Sequence, residues 1–179
     1  NLDDYAEAIK KYKAQSGEFQ EIPYEADVGI VRADSQELKK RLMPSPVLCL
    51  NALKDLLPRL MNRDNKKLME IFAEVLPIVT GTPTEVEAFA KKCTTCEKAN
   101  EDLAGIRAAY DKVGKMGELM NENEWAVPDD EKAHRRMITE DLTLLESAIE
   151  LAAGTLEDDT KKFAKDVLDQ IDVLNKAVL

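Results

Sequence analysis

Residues 82–120 read TPTEVEAFAKKCTTCEKANEDLAGIRAAYDKVGKMGELM, and this stretch decides the fold. Thr82 has the chemistry of a helix N-cap, Pro83 suits the first helical position, and Glu85 completes a capping box. Val86, Phe89, Cys93, Cys96, Asn100 and Leu103 then follow at spacings of three and four. That rhythm brings the same face of a helix round once per turn. After a three-residue stammer it resumes as Ile106, Tyr110, Val113, Gly117 and Met120. Unbroken, this helix is roughly 55 Å long at a rise of about 1.5 Å per residue. A compact domain of 20.0 kDa has little room for such a rod, so the expectation is an elongated bundle.

The same periodicity extends to both sides. Downstream, Asn121 to Pro128 is a polar break around the only tryptophan, Trp125. Helical spacing returns at Ile138, Leu142, Leu145, Ile149 and Ala152, with Gly154 as the expected cap. A last helix carries Leu156, Phe163, Val167, Ile171, Leu174 and Val178 to the final residue. That unfinished pattern, and a first residue that is Asn1 rather than Met, lead us to expect a segment of a longer chain. Upstream, a helix from Val47 shows Leu50, Leu53, Leu57, Leu60, Leu68, Ile71, Val75 and Ile78, ending near Pro77 to Gly81. Pro58 is expected to kink or split it, since proline lacks the N–H a helix interior needs.

Residues 1–16 carry Leu2, Tyr5, Ala8, Ile9 and Tyr12 on one helical stripe, with Ser16-Gly17 as the stop. Glu18 to Pro23 and Val28 to Arg32 hold the β-branched concentration, and either pair as a small hairpin or run as extended connectors. Asp34 or Ser35 then caps a short helix through Met43, ahead of Pro44-Ser45-Pro46. The expected fold is all-α, an elongated bundle of about five or six helices with room for a short β-hairpin near residues 18–33. It is read as one segment, with the N-terminal helix, extended pieces and short helix in residues 1–43 and the main bundle in residues 44–179.

Composition agrees. The chain is 44% hydrophobic and 34% charged but only 5% aromatic, which suits Ala/Leu/Glu/Lys helices and not a β-sandwich. A formal charge of −10 repels a phosphate backbone and the acidic surface of a microtubule, so neither nucleic acid nor the microtubule track is an expected partner. Short basic clusters at Lys39-Lys40-Arg41, at Arg59, Arg63, Lys66 and Lys67, and at His134-Arg135-Arg136 read as solvated helix faces. No apolar run approaches the ~20 residues that span a bilayer, and no signal peptide is present, so no membrane is expected. Three cysteines without a spaced framework fit a reducing, cytosolic compartment.

Candidate chemistry is sparse. Cys93-x-x-Cys96 invites a redox or metal reading, but the pair lies well inside a helix, where the dipole no longer favours a thiolate. On the apolar seam the two thiols read as small hydrophobes. Adding Cys49 and His134 gives the four ligands zinc needs, without the compact spacing of zinc motifs. The runs Asp129-Asp130-Glu131 and Glu157-Asp158-Asp159 sit where acidic residues complement a helix start. No nucleotide-binding, nucleophile-elbow or zinc-protease motif occurs. We therefore expect no catalytic site, cofactor or metal. Asn100 either fixes register in the long seam or lies at its edge. Trp125 either anchors a neighbouring module or tucks onto its own bundle.

One order of landmarks adds to this. Ile22-Pro23 is followed by Val28-Gly29-Ile30-Val31-Arg32-Ala33-Asp34, Leu38-Lys39-Lys40, Leu42-Met43-Pro44-Ser45-Pro46, Cys49-Leu50 and Leu56-Leu57-Pro58. This succession resembles the heavy chain of axonemal dynein, in the tail just ahead of the linker. The Thr82-Pro83-Thr84 turn and the Trp125-Ala126-Val127-Pro128 break also look like that family. The resemblance implies a non-enzymatic role in a motor of the ciliary or flagellar axoneme. In that family the tail holds the motor to its cargo, a doublet microtubule, and joins it to the linker and ATPase ring. The nucleotide-binding loops and microtubule-binding tip lie elsewhere in such a chain, and no residue here matches them. Two roles follow: a stiff spacer transmitting force, or a docking module for a light or intermediate chain or a neighbouring dynein. Docking predicts exposed apolar residues near Phe19, Ile22 and Tyr24 or near Trp125. A metal or redox protein built on Cys93 and Cys96 is the third, remote alternative.

Overall fold

The computed structural model describes residues 2–178, with side chains for all but residue 172 and residues 174–178. The expected seam positions Leu174 and Val178 therefore lie outside the described side chains. Five helices and a two-stranded sheet follow in the order α1 (Leu2–Glu21), β1 (Glu25–Val28), β2 (Val31–Asp34), α2 (Gln36–Leu42), α3 (Pro44–Val79), α4 (Val86–Glu122) and α5 (Asp129–Val178). The all-α class holds, and the hairpin forms.

The helix ends show where local signals lost. α1 does not stop at Ser16-Gly17 but runs through to Glu21. It ends where Pro23 biases Ile22 away from helical geometry. The strands consequently lie further along than expected, at 25–28 and 31–34 rather than 18–23 and 28–32. They pair antiparallel with Val28 opposite Val31, leaving Gly29-Ile30 as a two-residue turn. Gly29 has φ +66° and Ile30 does not share a positive value, the pattern of a II′ hairpin turn.

α3 begins at Pro44 itself, since the first turn of a helix needs no N–H donors, and it is not split at Pro58. Its end is fixed by the Thr80 hydroxyl and N–H, which both reach the Leu76 carbonyl. A Cβ on Gly81 would stand 2.9 Å from the Pro77 carbonyl oxygen, so only glycine fits that exit. The Thr82 capping box does not form. The first helical bond of α4 runs from the Phe89 N–H to the Glu85 carbonyl, so Glu85 is the capping position. Gly154 does not cap anything either, because α5 passes through it as one helix of 50 residues.

The chain divides into two compact units. The first comprises residues up to Arg63 with Lys112–Glu131, and the second Asp64–Asp111 with the residues from Lys132 onward. In the first, Ile9 of α1, Leu57 and Met61 of α3, Val113, Met116, Leu119 and Met120 of α4, and Val127 form one buried cluster. In the second, Leu68, Phe72 and Val79 meet Cys96, Ala99 and Ile106 of α4 and Ile138, Leu142 and Leu145 of α5. Each fully buried side chain of this kind contributes about 1.5–3 kcal/mol. The Phe89 and Phe163 rings stack with centroids 4.6 Å apart.

Candidate partner-binding surface

Phe19, Ile22 and Tyr24 follow one another across the end of α1 and the start of the hairpin. Phe19 lies half-buried in the last turn of α1, Ile22 is half-buried just beyond it, and Tyr24 is 58% exposed. Lys39 of α2 organises the junction. It is only 7% exposed, and its Nζ donates to the Gln20 carbonyl at 2.7 Å and the Ile22 carbonyl at 3.0 Å. The same ammonium lies 4.5 Å from the centroid of the Tyr24 ring. It thus satisfies carbonyls the end of α1 leaves without helical partners, and its charge complements the negative end of the helix. Lys39 is therefore not part of the solvated basic face expected of Lys39-Lys40-Arg41. A buried lysine needs acceptors, and the backbone of a helix end supplies them.

Beyond Tyr24 the hairpin carries apolar residues outward. The Ser35 N–H donates to the Tyr24 carbonyl at 2.8 Å, and the Ser35 hydroxyl donates to the Pro23 carbonyl. All eight strand residues are exposed, including Val28 and Val31, and Ile30 at the turn is fully so. Arg32 ion-pairs with Glu25 at 3.3 Å and Asp27 at 3.1 Å.

Trp125 sits apart from this group, in the turn between α4 and α5. It is half-buried and packs against the core cluster of the first unit. Its N–H reaches back to the Met120 carbonyl at 2.8 Å and that of Glu124 to Asn121 at 3.0 Å, with Glu124 at φ +59°. These two bonds and the left-handed residue make a Schellman end, which seats the following apolar residue on the helix it closes.

Cys93 and Cys96 lie on α4, half-buried and buried, beside a cavity of about 140 Å³ lined also by Phe89, Asn100, Ile149 and Leu156. Burial pushes both thiols up from their ordinary value, away from the thiolate that redox or metal chemistry uses. A side-chain hydrogen bond with the free Cys49 pushes the Tyr12 hydroxyl up from its ordinary value. No group of three or more His, Cys, Asp or Glu side chains suited to a metal occurs among the described residues. Nor is any helix among them long and apolar enough to cross a membrane.

No known family profile matches the chain. Over 181 aligned positions it is 22% identical to human dynein axonemal heavy chain 6, covering 99% of this chain. The chain is similar to a segment of a dynein heavy chain. It spans 4% of the length of that relative. The dynein-like landmarks from Ile22 to Pro58 fall on the end of α1, the hairpin, α2 and the first half of α3, around the Lys39 junction.

Proposed function

We propose that this chain is a non-catalytic structural part of a dynein heavy-chain tail, just N-terminal to the linker. It passes load between the cargo-anchoring stem and the linker and ATPase ring during ciliary or flagellar motility. The observation that carries this reading is an alignment to an axonemal dynein heavy chain along 99% of the chain. The order of the Ile22 to Pro58 landmarks supports the tail position. Helices of 36, 37 and 50 residues support a mechanical role, because continuous helical backbone resists bending better than loops do. Its partners on this reading are the neighbouring tail and linker, with dynein light or intermediate chains or an adjacent dynein as further candidates, and its place is the axoneme.

An antibody raised against the purified segment tests this on axonemal extract. The expected result is a band of heavy-chain size that leaves the axoneme with dynein in high salt, and no ATP hydrolysis by the segment. A band at the 20.0 kDa of this chain, or staining away from the dynein arms, overturns it.

A further inference from the structure

The hairpin is a two-stranded sheet whose eight strand residues are all exposed, with Lys39 reaching the adjoining Tyr24 ring. Its register places Glu25, Asp27, Arg32 and Asp34 on one face and Ala26, Val28, Val31 and Ala33 on the other. The Ser35–Tyr24 bond extends the ladder by one pair and adds Tyr24 to the apolar face. Exposure of 58% at Tyr24, 67% at Val28 and 63% at Val31 shows that this face is open. An isolated pair of strands is marginally stable, and three strands or a covered face are normally needed. Antiparallel pairs alternate between bonded and unbonded positions, so the bonded pair Tyr24/Ser35 makes Ala26/Ala33 and Val28/Val31 bonded too. Glu25 and Asp27 therefore turn their backbone N–H and C=O groups to the open edge of β1.

We propose that this edge of β1 is a strand-addition site for an extended peptide segment that alternates basic and apolar residues. The added strand sets its apolar residues beside Tyr24, Ala26 and Val28, and its basic residues beside Glu25 and Asp27. Charge decides the occupant. Arg32 serves both carboxylates from the β2 side, one cation against two anions, and a cation on the open side completes an alternation of sign across the sheet. The β2 edge lacks that bias, because Arg32 and Asp34 have opposite signs and Asp34 Oδ1 already accepts the Gln36 N–H at 2.8 Å. A net charge of −10 steers the same kind of segment toward the molecule. This inference stands on the hairpin alone and does not depend on the dynein reading.

The test is fluorescence anisotropy with a short labelled peptide alternating lysine and valine, with hydrogen exchange followed on the bound chain. The expected result is saturable binding that slows exchange at the amides of Glu25 and Asp27. The combined Glu25→Lys and Asp27→Lys variant should weaken it about tenfold. These side chains are exposed and outside both cores, so an unchanged circular dichroism spectrum confirms that the variant is folded. Equal binding of a peptide with lysines and valines in separate blocks overturns the proposal, as does binding without protection at Glu25 and Asp27. Absence of binding overturns it too.

Discussion

Glu124 holds φ +59°, a left-handed conformation in which an L side chain is crowded and glycine is not. Its position as the residue after the α4 cap makes glycine the natural occupant. Glu124→Gly should therefore raise stability by about 1 kcal/mol, read as a higher urea midpoint at unchanged slope. A lowered midpoint would show that the glutamate side chain contributes more than the backbone strain costs. Lys39 makes the opposite kind of case, since Lys39→Met keeps the aliphatic stem but leaves two carbonyls without their donor. Loss of about 2 kcal/mol is expected from charge-assisted bonds of this type. The thiols add a pH dependence. Burial raises the folded values of Cys93 and Cys96, so the protonated thiols stabilise the fold fully below the unfolded value of about 8.5. That contribution is lost as pH rises from there toward the folded values, because only the unfolded chain ionises freely. A Cys93→Ala and Cys96→Ala variant should lose less stability than the parent between about pH 8 and pH 10, in urea melts at each pH.

The helices were legible from periodicity, and their ends were not. The seam of α4 is more regular than the sequence reading allowed. Ala99, not Asn100, occupies the inner position, and Asn100 is exposed, which settles its alternatives in favour of the edge. With Ala99 included, Phe89, Lys92, Cys96, Ala99, Leu103, Ile106, Tyr110, Val113, Gly117 and Met120 follow strict steps of three and four, all buried or half-buried. No stammer remains. Spacing alone does not choose between the neighbours Ala99 and Asn100, while packing favours the small apolar side chain over the amide. In α3 the inward positions after Leu68 are Phe72, Val75 and Val79 rather than Ile71 and Ile78, and buried Asn65 gave no sign of itself in the sequence. The Lys39 junction was equally hidden, because its acceptors are backbone carbonyls and backbone carries no residue code. Gly154 misled for a related reason: glycine permits a helix end without requiring one. A Cβ there would meet nothing within 4 Å, so Gly154→Ala should stabilise α5 by about 1 kcal/mol, seen as a higher thermal midpoint. Leu145 lies at 0% exposure within the second cluster, and Leu145→Ala should cost about 2–5 kcal/mol. An unchanged melt for Leu145→Ala would remove it from the core.

At the scale of the whole molecule the decisive quantity is charge. Thirty-five acidic side chains face 25 basic ones, an excess of ten negative charges on 179 residues. Close pairs exist, such as Arg107 Nε to Glu146 at 2.7 Å and Lys161 Nζ to Glu157 at 2.6 Å, but they are exposed. Exposed pairs contribute at most about 1 kcal/mol each and are weakened by salt. Salt equally weakens the repulsion among the unpaired carboxylates, which is summed over the entire surface and opposes compaction. The excess is large and exposed pairs contribute little, so relief of repulsion should win. Raising sodium chloride from about 10 mM, where the screening length is near 30 Å, to about 0.5 M should lift the thermal midpoint. A gain of about 1 kcal/mol corresponds to roughly 2–4 °C for a chain of this size. A midpoint that falls with salt would mean the ion pairs outweigh the repulsion, and reversing the charge of Glu146 or Glu157 would then lower it further.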